Sequence, residues 1–271
     1  MGRRPPAGVL SAATASPTAL RVIAAECARA AGELLLERFV AGGERAVGSK
    51  SSPTDVVSEA DLAAERAIRE LLAARRPGDA ILGEEGGETQ AGEGLRWIVD
   101  PLDGTVNFLF GVPQWCVSVA VCDDEGGLAG AVFDPLRDEI FCGERGGPAT
   151  LNGSAVAGST KADLASSLVG TGFAYEAAVR TQQAAVLARV LPVVRDVRRM
   201  GSAALDLAWT AAGRYDAFYE RGVQAWDIAA GSLLCECSGL VVRPLDAQGA
   251  APGGVIAAPP AIIDELHALV A

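Results

Sequence analysis

A short segment at residues 97–108 constrains the fold of this chain more than any other stretch. Residues 97–99, Trp-Ile-Val, are typical of a buried strand, and we expect the strand to stop at Asp100 because Pro101 cannot donate to a sheet ladder. Asp103 follows in the same tight turn. Two carboxylates this close repel each other unless a cation lies between them, and hard divalent cations such as Mg²⁺ take oxygen ligands. The pair therefore predicts a metal bridge, with an ordinary solvated turn as the alternative.

Gly104 and Thr105 come directly after the two carboxylates. A glycine lets the backbone approach a ligand closely, and the amides that follow it can hold an anion as the N-terminus of a helix does. Metal-binding carboxylates beside amides that bind an anion indicate phosphoryl chemistry.

Three further acidic clusters lie at the ends of predicted elements. Glu84 and Glu85 follow the apolar run 80–82 in a glycine-rich turn, and Asp61 lies at the start of an amphipathic helix. Asp227 stands at the expected N-cap of a helix of small residues, where an aspartate also has a purely structural role. Each cluster is ambiguous alone, but the acidic clusters together favour a metal-dependent site.

Three motifs carry a resemblance to a known family. They are residues 83–85 (Gly-Glu-Glu), residues 100–108 (Asp-Pro-Leu-Asp-Gly-Thr-Val-Asn-Phe) and residues 226–231 (Trp-Asp-Ile-Ala-Ala-Gly). They closely resemble the acidic motif and the two signatures of the inositol monophosphatase family, and the resemblance extends from Thr18 to the C-terminus. The stretches most similar to its actinobacterial inositol-1-monophosphatase branch are residues 50–55, 170–175 and 195–206. The resemblance implies an α+β fold, a layered α-β-α-β-α sandwich of the inositol monophosphatase or sugar phosphatase type.

The resemblance also implies a metal site for two to three Mg²⁺ ions. One ion would be held by Glu84, Asp100 and the carbonyl of Leu102. A second would be held by Asp100, Asp103 and Asp227, so that Asp100 bridges the two. A third, looser ion would use Glu84 and water. Two such ions can stabilise both the entering and the leaving oxygen of an in-line displacement.

Catalytic roles follow from the same resemblance. The hydroxyl of Thr105 and the carboxylate of Asp61 would orient and deprotonate the attacking water, and Glu84 would take part through the third ion. Asp61 also has an ordinary explanation as an acidic residue in the first turn of a helix. Glu85 and Glu88 are expected to lie in solvent. Lys50 either tunes the field near the metals or is a plain surface lysine.

The substrate contacts implied by the family lie in both halves of the chain. Glu220 lies seven residues before Asp227, as the family's ligand of inositol hydroxyls does, and Ser202 and Ala203 match a segment that touches the ring. One departure is the pair Gly172-Phe173, where several members have a serine. The complete set of expected substrate-binding residues is Gly104, Thr105, Asp103, Ser202, Ala203, Glu220 and Asp227.

The sequence thus predicts Mg²⁺-dependent hydrolysis of myo-inositol 1-phosphate to myo-inositol and phosphate. The alternatives are a phosphatase of the same fold for histidinol phosphate, fructose 1,6-bisphosphate or 3'-phosphoadenosine phosphate, and a regulatory binding protein without turnover. His267 is the only histidine, which excludes HExxH zinc sites and a Ser-His-Asp triad within this chain.

Composition limits the partners. The chain has 271 residues and a net charge of −11, which disfavours nucleic acid and anionic membranes as partners. No stretch approaches the roughly 20 apolar residues of a membrane span, and no export signal is evident, so the expected location is the cytoplasm. The six cysteines are expected to be reduced there. We expect a homodimer that binds a small phosphate monoester.

The chain divides into three predicted regions. These are a disordered N-terminal tail (1–16), an α+β lobe with most metal ligands (17–150) and an α/β lobe that completes the metal and substrate site (151–271). The predicted helices are 60–75, 180–191, 203–212, 227–237, one from Pro17 and one from Ala261. The predicted strands are 80–82, 97–99, 117–121, 128–133, 139–143, 168–170, 197–199, 216–219 and 255–258.

Overall fold

A computed structural model describes residues 15–41, 47–49, 56–89, 94–248 and 251–271. The helices are α1 Pro17–Ala41, α2 Glu59–Arg75, α3 Thr105–Phe110, α4 Ala177–Val190, α5 Ala203–Ala211, α6 Ala225–Cys237 and α7 Ile263–Val270. The strands are β1 Val47–Ser49, β2 Val56–Ser58, β3 Ala80–Gly83, β4 Gly87–Glu88, β5 Arg96–Asp103, β6 Cys116–Asp123, β7 Gly126–Asp134, β8 Glu139–Glu144, β9 Thr150–Leu151, β10 Ser154–Ala155, β11 Leu168–Thr171, β12 Asp196–Arg198, β13 Ala217–Arg221, β14 Val241–Leu245 and β15 Gly254–Ala258. Most of the predicted tail, and the predictions for Lys50 and the 50–55 stretch, lie outside the described residues.

The larger sheet has eight strands in the order β10-β9-β8-β7-β6-β5-β3-β4. Its pairs are antiparallel except for β3 and β5, which run parallel. Side chains alternate across a strand, so β6 buries Val117 and Val119 against α1 and α2 and turns Cys116 and Ala120 toward α5 and α6. The sheet is therefore covered by helices on both faces.

The smaller sheet has the order β12-β11-β13-β15-β14. One face, with Phe218 and Ala257, packs on the same α5 and α6 core as the larger sheet. The other face, with Val169 and Ile256, packs against α4 and α7. The layers are therefore α1/α2, larger sheet, α5/α6, smaller sheet and α4/α7, which confirms the predicted α-β-α-β-α sandwich.

The division into lobes at residue 150 stays a prediction. The core cluster around α5 and α6 contains Ala120 and Val132 from one side of that position and Leu207 and Phe218 from the other.

Most predicted elements are confirmed, with ends that shift by a few residues. The predicted end of the 97–99 strand was wrong, because β5 continues through Asp103. Pro101 is accommodated where the register with β6 shifts between Asp100 and Asp103, so no ladder hydrogen bond is required of it. The sequence reading missed β14, which contains Pro244 and lies at an edge of its sheet, a position that tolerates proline.

Two general expectations concern cysteines and membranes. All six cysteines are free thiols, and burial raises the pKa of each; four of them are buried, while Cys122 and Cys237 are half-buried. Within the described ranges, no helix combines the length and the apolar character needed to cross a membrane.

Candidate active site

Four predicted carboxylates, Glu84, Asp100, Asp103 and Asp227, come together between the larger sheet and the N-terminus of α6. Asp100 is 1% exposed, and burial first, then the charges of Glu84, Asp103 and Asp227, raises its pKa well above the ordinary range. Burial and the charge of Asp103 likewise raise the pKa of Asp227 to about 8. The acidic clusters that are far apart in the sequence therefore form one electrostatic unit.

The sheet explains how Glu84 and Asp100 meet. β3 and β5 are parallel neighbours, with Gly83 paired to Val99. The amide of Glu84 donates to the carbonyl oxygen of Val99 at 3.2 Å, which continues the pairing one residue beyond β3. Glu84 and Asp100 therefore lie side by side where β3 ends, while β5 continues to Asp103.

Asp103 is held by the N-terminus of α5. Its Oδ2 accepts hydrogen bonds from Ser202 Oγ and from the amide of Ala204, both at 2.7 Å, and Cys116 Sγ lies 3.8 Å away. Burial raises the pKa of Asp103 to about 6, and the two hydrogen bonds oppose that rise. The Ser202 hydroxyl therefore donates its hydrogen bond to Asp103. A contact between Ser202 and a substrate ring stays a prediction.

Asp227 occupies a different helical position from the one expected. Gln224 is the N-cap of α6, and Asp227 is the third residue of the helix. Its Oδ2 accepts the backbone amide of Gln224 at 2.6 Å in a reciprocal capping box. The N-cap prediction was wrong by three residues, although Asp227 does stabilise the start of the helix.

Thr105 and Asp61 form a buried pair. Thr105 Oγ1 lies 3.1 Å from Asp61 Oδ1 and 3.1 Å from the carbonyl oxygen of Leu102. A hydroxyl carries one proton, so Thr105 donates to one of these acceptors at a time. Gly104 precedes Thr105 as the N-cap of α3 with φ of 97°, and a Cβ there would come within 3.0 Å of the Gln114 carbonyl oxygen.

The donor set suits a hard divalent cation. The predicted ligands are four carboxylates and the Leu102 carbonyl, all of them oxygen donors of the kind Mg²⁺ prefers. No group of three or more acidic, histidine or cysteine side chains in the described part of the chain already has a metal-binding arrangement. Asp100, Asp103 and Asp227 instead accept hydrogen bonds from nearby protein groups. Metal binding would replace or supplement those bonds, and the mutual repulsion that raises the pKa of Asp100 would favour it.

Glu220 lies near the end of β13. Desolvation and the charge of Asp103 raise its pKa to about 8, while Arg199 opposes the rise. A Cβ on Gly172 would overlap the carboxyl group of Glu220. The departure from serine at this position therefore leaves the space that the glutamate occupies.

Several residues near the site were not predicted. Asp206 is 1% exposed on α5, and the charge of Glu220 contributes to its raised pKa. Asn107 Nδ2 lies 2.7 Å from the Gln114 carbonyl oxygen and 2.8 Å from the Met200 carbonyl oxygen, which ties α3 to the segment before α5. The sequence signal that could have found Asp206 is a single acidic residue within the apolar stretch 203–209.

The turn after Glu84 also differs from the expectation. Glu85 is half-buried rather than in solvent, and its amide donates to Glu65 on α2 at 2.8 Å. Glu88 is exposed as expected and pairs with Arg96 at 2.9 Å. Glu65 was not predicted to belong to the site, although its spacing of four residues from both Asp61 and Arg69 places the three on one face of α2.

Comparison with known proteins assigns the family. Residues 17–271 match the family model of the inositol monophosphatase family. The inositol-1-monophosphatase of Mycobacterium leprae is 46% identical over 244 residues, which cover 84% of this chain and 82% of that protein. The Nus factor SuhB of Pseudomonas aeruginosa is 44% identical over 231 residues, covering 81% of this chain and 83% of that protein.

Solved structures agree with the sequence comparisons. The extragenic suppressor protein suhB from Bartonella henselae has a TM-score of 0.85 and 33% identity, and the match covers 93% of this chain and 98% of that one. The fold, the acidic motifs and these relatives agree, and the chain belongs to the inositol monophosphatase family of phosphatases.

Proposed function

We propose that this phosphatase hydrolyses myo-inositol 1-phosphate to myo-inositol and phosphate, and that it requires Mg²⁺. The observation that carries the proposal is the convergence of Glu84, Asp100, Asp103 and Asp227 beside the buried pair of Thr105 and Asp61. A carboxylate cluster of this charge repels a phosphate ester, so the substrate needs cations to bind there.

Glu84, Asp100, Asp103, Asp227 and the Leu102 carbonyl are the proposed metal ligands, for two to three ions. Bound Mg²⁺ supplies neutralisation of the phosphate charge and activation of water. The carboxylates would hold the ions, and the hydrogen bonds that Asp100, Asp103 and Asp227 accept restrict the orientations of these three side chains.

The chain's own acid-base group is Asp61. Thr105 is within hydrogen-bond distance of Asp61 Oδ1, so a water that donates to the threonine hydroxyl is directed toward a buried base. As the water oxygen bonds to phosphorus, its proton passes to the Thr105 hydroxyl and the hydroxyl proton passes to Asp61. The bond from phosphorus to the inositol oxygen breaks in the same step, and that oxygen leaves as the inositol hydroxyl after it takes a proton from solvent. The amides of Gly104 and Thr105 are the proposed contacts of the phosphate oxygens.

Glu220 is the proposed ligand of the polyol. Its carboxylate lies close enough to Asp103 and Asp227 for both of their charges to raise its pKa. A carboxylate accepts hydrogen bonds from adjacent hydroxyls, which selects a ring with free hydroxyl groups near the phosphate. Ser202 and Ala203 would contact the ring from the α5 side.

The partners and location remain proposals as well. We propose a homodimer in the cytoplasm without nucleic acid or membrane partners. The Pseudomonas aeruginosa relative is named a Nus factor, so the absence of a nucleic-acid partner needs a test of its own. A gel-shift measurement with RNA at physiological salt tests this part separately, and a retarded band would contradict it.

The decisive experiment measures phosphate release by metal-stripped protein with and without added Mg²⁺. The panel contains myo-inositol 1-phosphate, histidinol phosphate, fructose 1,6-bisphosphate, 3'-phosphoadenosine phosphate and an aryl phosphate. We expect no turnover without metal, recovery with Mg²⁺, inhibition by Li⁺ as the family resemblance implies, and the highest kcat/KM for inositol 1-phosphate. Undiminished activity in excess EDTA contradicts the mechanism, and a higher kcat/KM for another ester reassigns the substrate.

A further inference from the structure

Glu65 is a buried carboxylate outside the predicted catalytic set. It is 3% exposed and lies on α2, four residues after Asp61 and four before Arg69. Residues at this spacing lie on one face of a helix, so Glu65 faces the same side as the proposed base. A carboxylate is seldom buried this completely unless it has strong partners.

The hydrogen-bond partners of Glu65 are two backbone amides in the turn that follows Glu84, together with Arg69. Glu65 Oε2 accepts the amide of Glu85 at 2.8 Å, and Oε1 accepts the amide of Gly86 at 2.9 Å. Arg69 Nε donates to Oε1 at 2.6 Å, and Arg69 Nη2 donates to the carbonyl oxygen of Gly87 at 2.7 Å. Two consecutive amides and a guanidinium therefore bind one carboxylate, and the arginine reaches the next residue of the turn.

Glu65 explains why glycine occupies two positions, Gly83 at the end of β3 and Gly86 in the turn that follows. Neither Gly83 nor Gly86 has a positive φ, so backbone conformation does not require glycine at either position. A Cβ on Gly83 would come within 2.6 Å of the Glu65 carboxyl group, and one on Gly86 within 2.5 Å of its Oε1. The close approach of Glu65 excludes a side chain at both positions, and Arg69 Nη2, 2.8 Å from the Cβ position of Gly86, adds to the exclusion there.

Glu84 is held on both sides as a result. Its own amide donates to Val99, the residue before Asp100, and the next amide donates to Glu65. The first contact sets Glu84 relative to β5, and the second sets it relative to the helix that carries Asp61. The turn is thus hydrogen-bonded both to the strand that carries Asp100 and to the helix that carries Asp61.

We propose that Glu65 is a positioning residue that fixes the 83–87 turn to α2 and thereby places Glu84 for metal binding at a set distance from Asp61. The inference rests on the proposed function, because it takes Glu84 as a metal ligand. Residues that orient a ligand without touching the metal typically change its affinity by about 10–100-fold when they are replaced.

The test compares Glu65→Gln with Glu70→Gln. Glutamine keeps the size of Glu65 but replaces one acceptor oxygen with an NH₂ group, so one turn amide loses its partner. Glu70 lies on the same helix and is exposed, so its variant is a matched control for loss of one negative charge. In metal-free protein we expect hydrogen exchange at the amides of Glu85 and Gly86 to accelerate by about tenfold or more in Glu65→Gln only.

The second variant, Gly86→Ala, keeps the charge of Glu65 and displaces its carboxylate by steric overlap. Gly78→Ala is its control, because a Cβ at Gly78 meets no atom within 4 Å. This pair keeps the test readable if Glu65→Gln does not fold, which circular dichroism and thermal melting establish for each variant.

Metal affinity is the readout that a merely structural role would leave alone. We expect Mn²⁺ titrations followed by electron paramagnetic resonance to show about tenfold weaker binding in Glu65→Gln and Gly86→Ala, and wild-type binding in both controls. For turnover we expect a raised Mg²⁺ requirement, with kcat largely restored at saturating metal.

Unchanged exchange in both variants, or faster exchange with Mn²⁺ affinity within about twofold of wild type, overturns the role of Glu65 and leaves the proposed function standing. A wild-type protein that binds no Mn²⁺ and turns over in EDTA overturns the proposed function and this inference together, and that result is visible before any variant is made.

Discussion

Thr105 Oγ1 lies 3.1 Å from Asp61 Oδ1, which brings the first residue of α3 against the first turn of α2 across 44 positions of the sequence. Asp61 is fully buried, and Thr105 is nearly so. The contact places a hydroxyl between a buried carboxylate and the carbonyl of Leu102, a proposed metal ligand.

Thr105→Val should lower kcat by at least about a hundredfold, because the hydroxyl that directs the water toward Asp61 is lost. Thr105→Ser keeps that hydroxyl and should retain most of the activity. Phosphate release at saturating Mg²⁺ and substrate measures both. Equal losses in the two variants would mean that packing of the threonine methyl, and not its hydroxyl, matters at this position.

Asp100→Asn should weaken metal binding and lower turnover by at least about a hundredfold, comparable to the loss of a key transition-state contact. The reason is that Asp100 would bridge two ions, and that the charges of Glu84, Asp103 and Asp227 all add to the effect of burial in raising its pKa. Asp124→Asn, in an exposed turn, is the matched control. Wild-type turnover of Asp100→Asn at saturating Mg²⁺ would place the metal site elsewhere.

Glu220→Gln should reduce kcat/KM for inositol 1-phosphate by at least about tenfold more than for an aryl phosphate, whose leaving group has no ring hydroxyls. Glu236→Gln, an exposed glutamate on α6, should change neither value. A metal-binding role of Glu220 would instead lower both values alike and raise the Mg²⁺ requirement.

Gly172→Ala should reproduce the substrate preference of Glu220→Gln without removing a charge. The added methyl group overlaps the glutamate carboxyl and forces it to turn away. The same pair of substrates checks the result, with kcat/KM for inositol 1-phosphate expected to fall about tenfold more than for the aryl ester. Unchanged kinetics would show that Glu220 moves without consequence for the substrate.

The stability of metal-free protein should fall as pH rises toward 8. The pKa of Glu220 is raised from 4.5 to about 8, so the folded state binds more protons than the unfolded state between these values, and its stabilising contribution is lost across that interval. Glu220→Gln should therefore gain Tm relative to wild type on going from about pH 5 to about pH 8, by roughly 2–4 °C for each kcal/mol of this contribution. Parallel Tm curves for the two proteins would show that the carboxylate titrates normally. Added Mg²⁺ should reduce the difference, because nearby cations favour the charged form.

Much of the fold followed from periodicity, and the family followed from the motifs. The alternating residues of β6 and the helical spacing of α1 gave strands and helices close to those observed, because their apolar faces are buried as the pattern requires. The convergence of Glu84, Asp100, Asp103 and Asp227 was expected through family resemblance; no local pattern contains it.

The errors have local physical causes. A proline normally ends a ladder, but the register shift beside Pro101 removes the need for its missing donor, so β5 continues. Asp227 was placed at the N-cap because aspartate is favoured there, while the structure uses it at the third helical position of a capping box. In both cases the residue's local preference was applied correctly, and a neighbouring feature of the structure changed the outcome. For Pro101 that feature is the register shift, and for Asp227 it is the capping box.

Glu65 shows what single-sequence reasoning could not reach. Its residue type and spacing fit an ordinary surface ion pair with Arg69. Only the packing of the 83–87 turn onto α2 buries it and gives it backbone partners. Contacts between a helix and a distant turn depend on tertiary structure, which a single sequence does not show. The sequence records this contact only as glycine at positions 83 and 86, where a Cβ would overlap Glu65.

The native cysteines should interfere little with site-specific labelling, because burial raises the pKa of their thiols. Maleimide and iodoacetamide reagents attack the thiolate, and burial raises the pKa of Cys27 to about 12 and of Cys142 to about 11, so the native cysteines react slowly at neutral pH. Glu88→Cys would place one accessible thiol at the exposed end of the turn that carries Glu84. A fluorophore or spin label there would report the motion of that turn in an otherwise native protein.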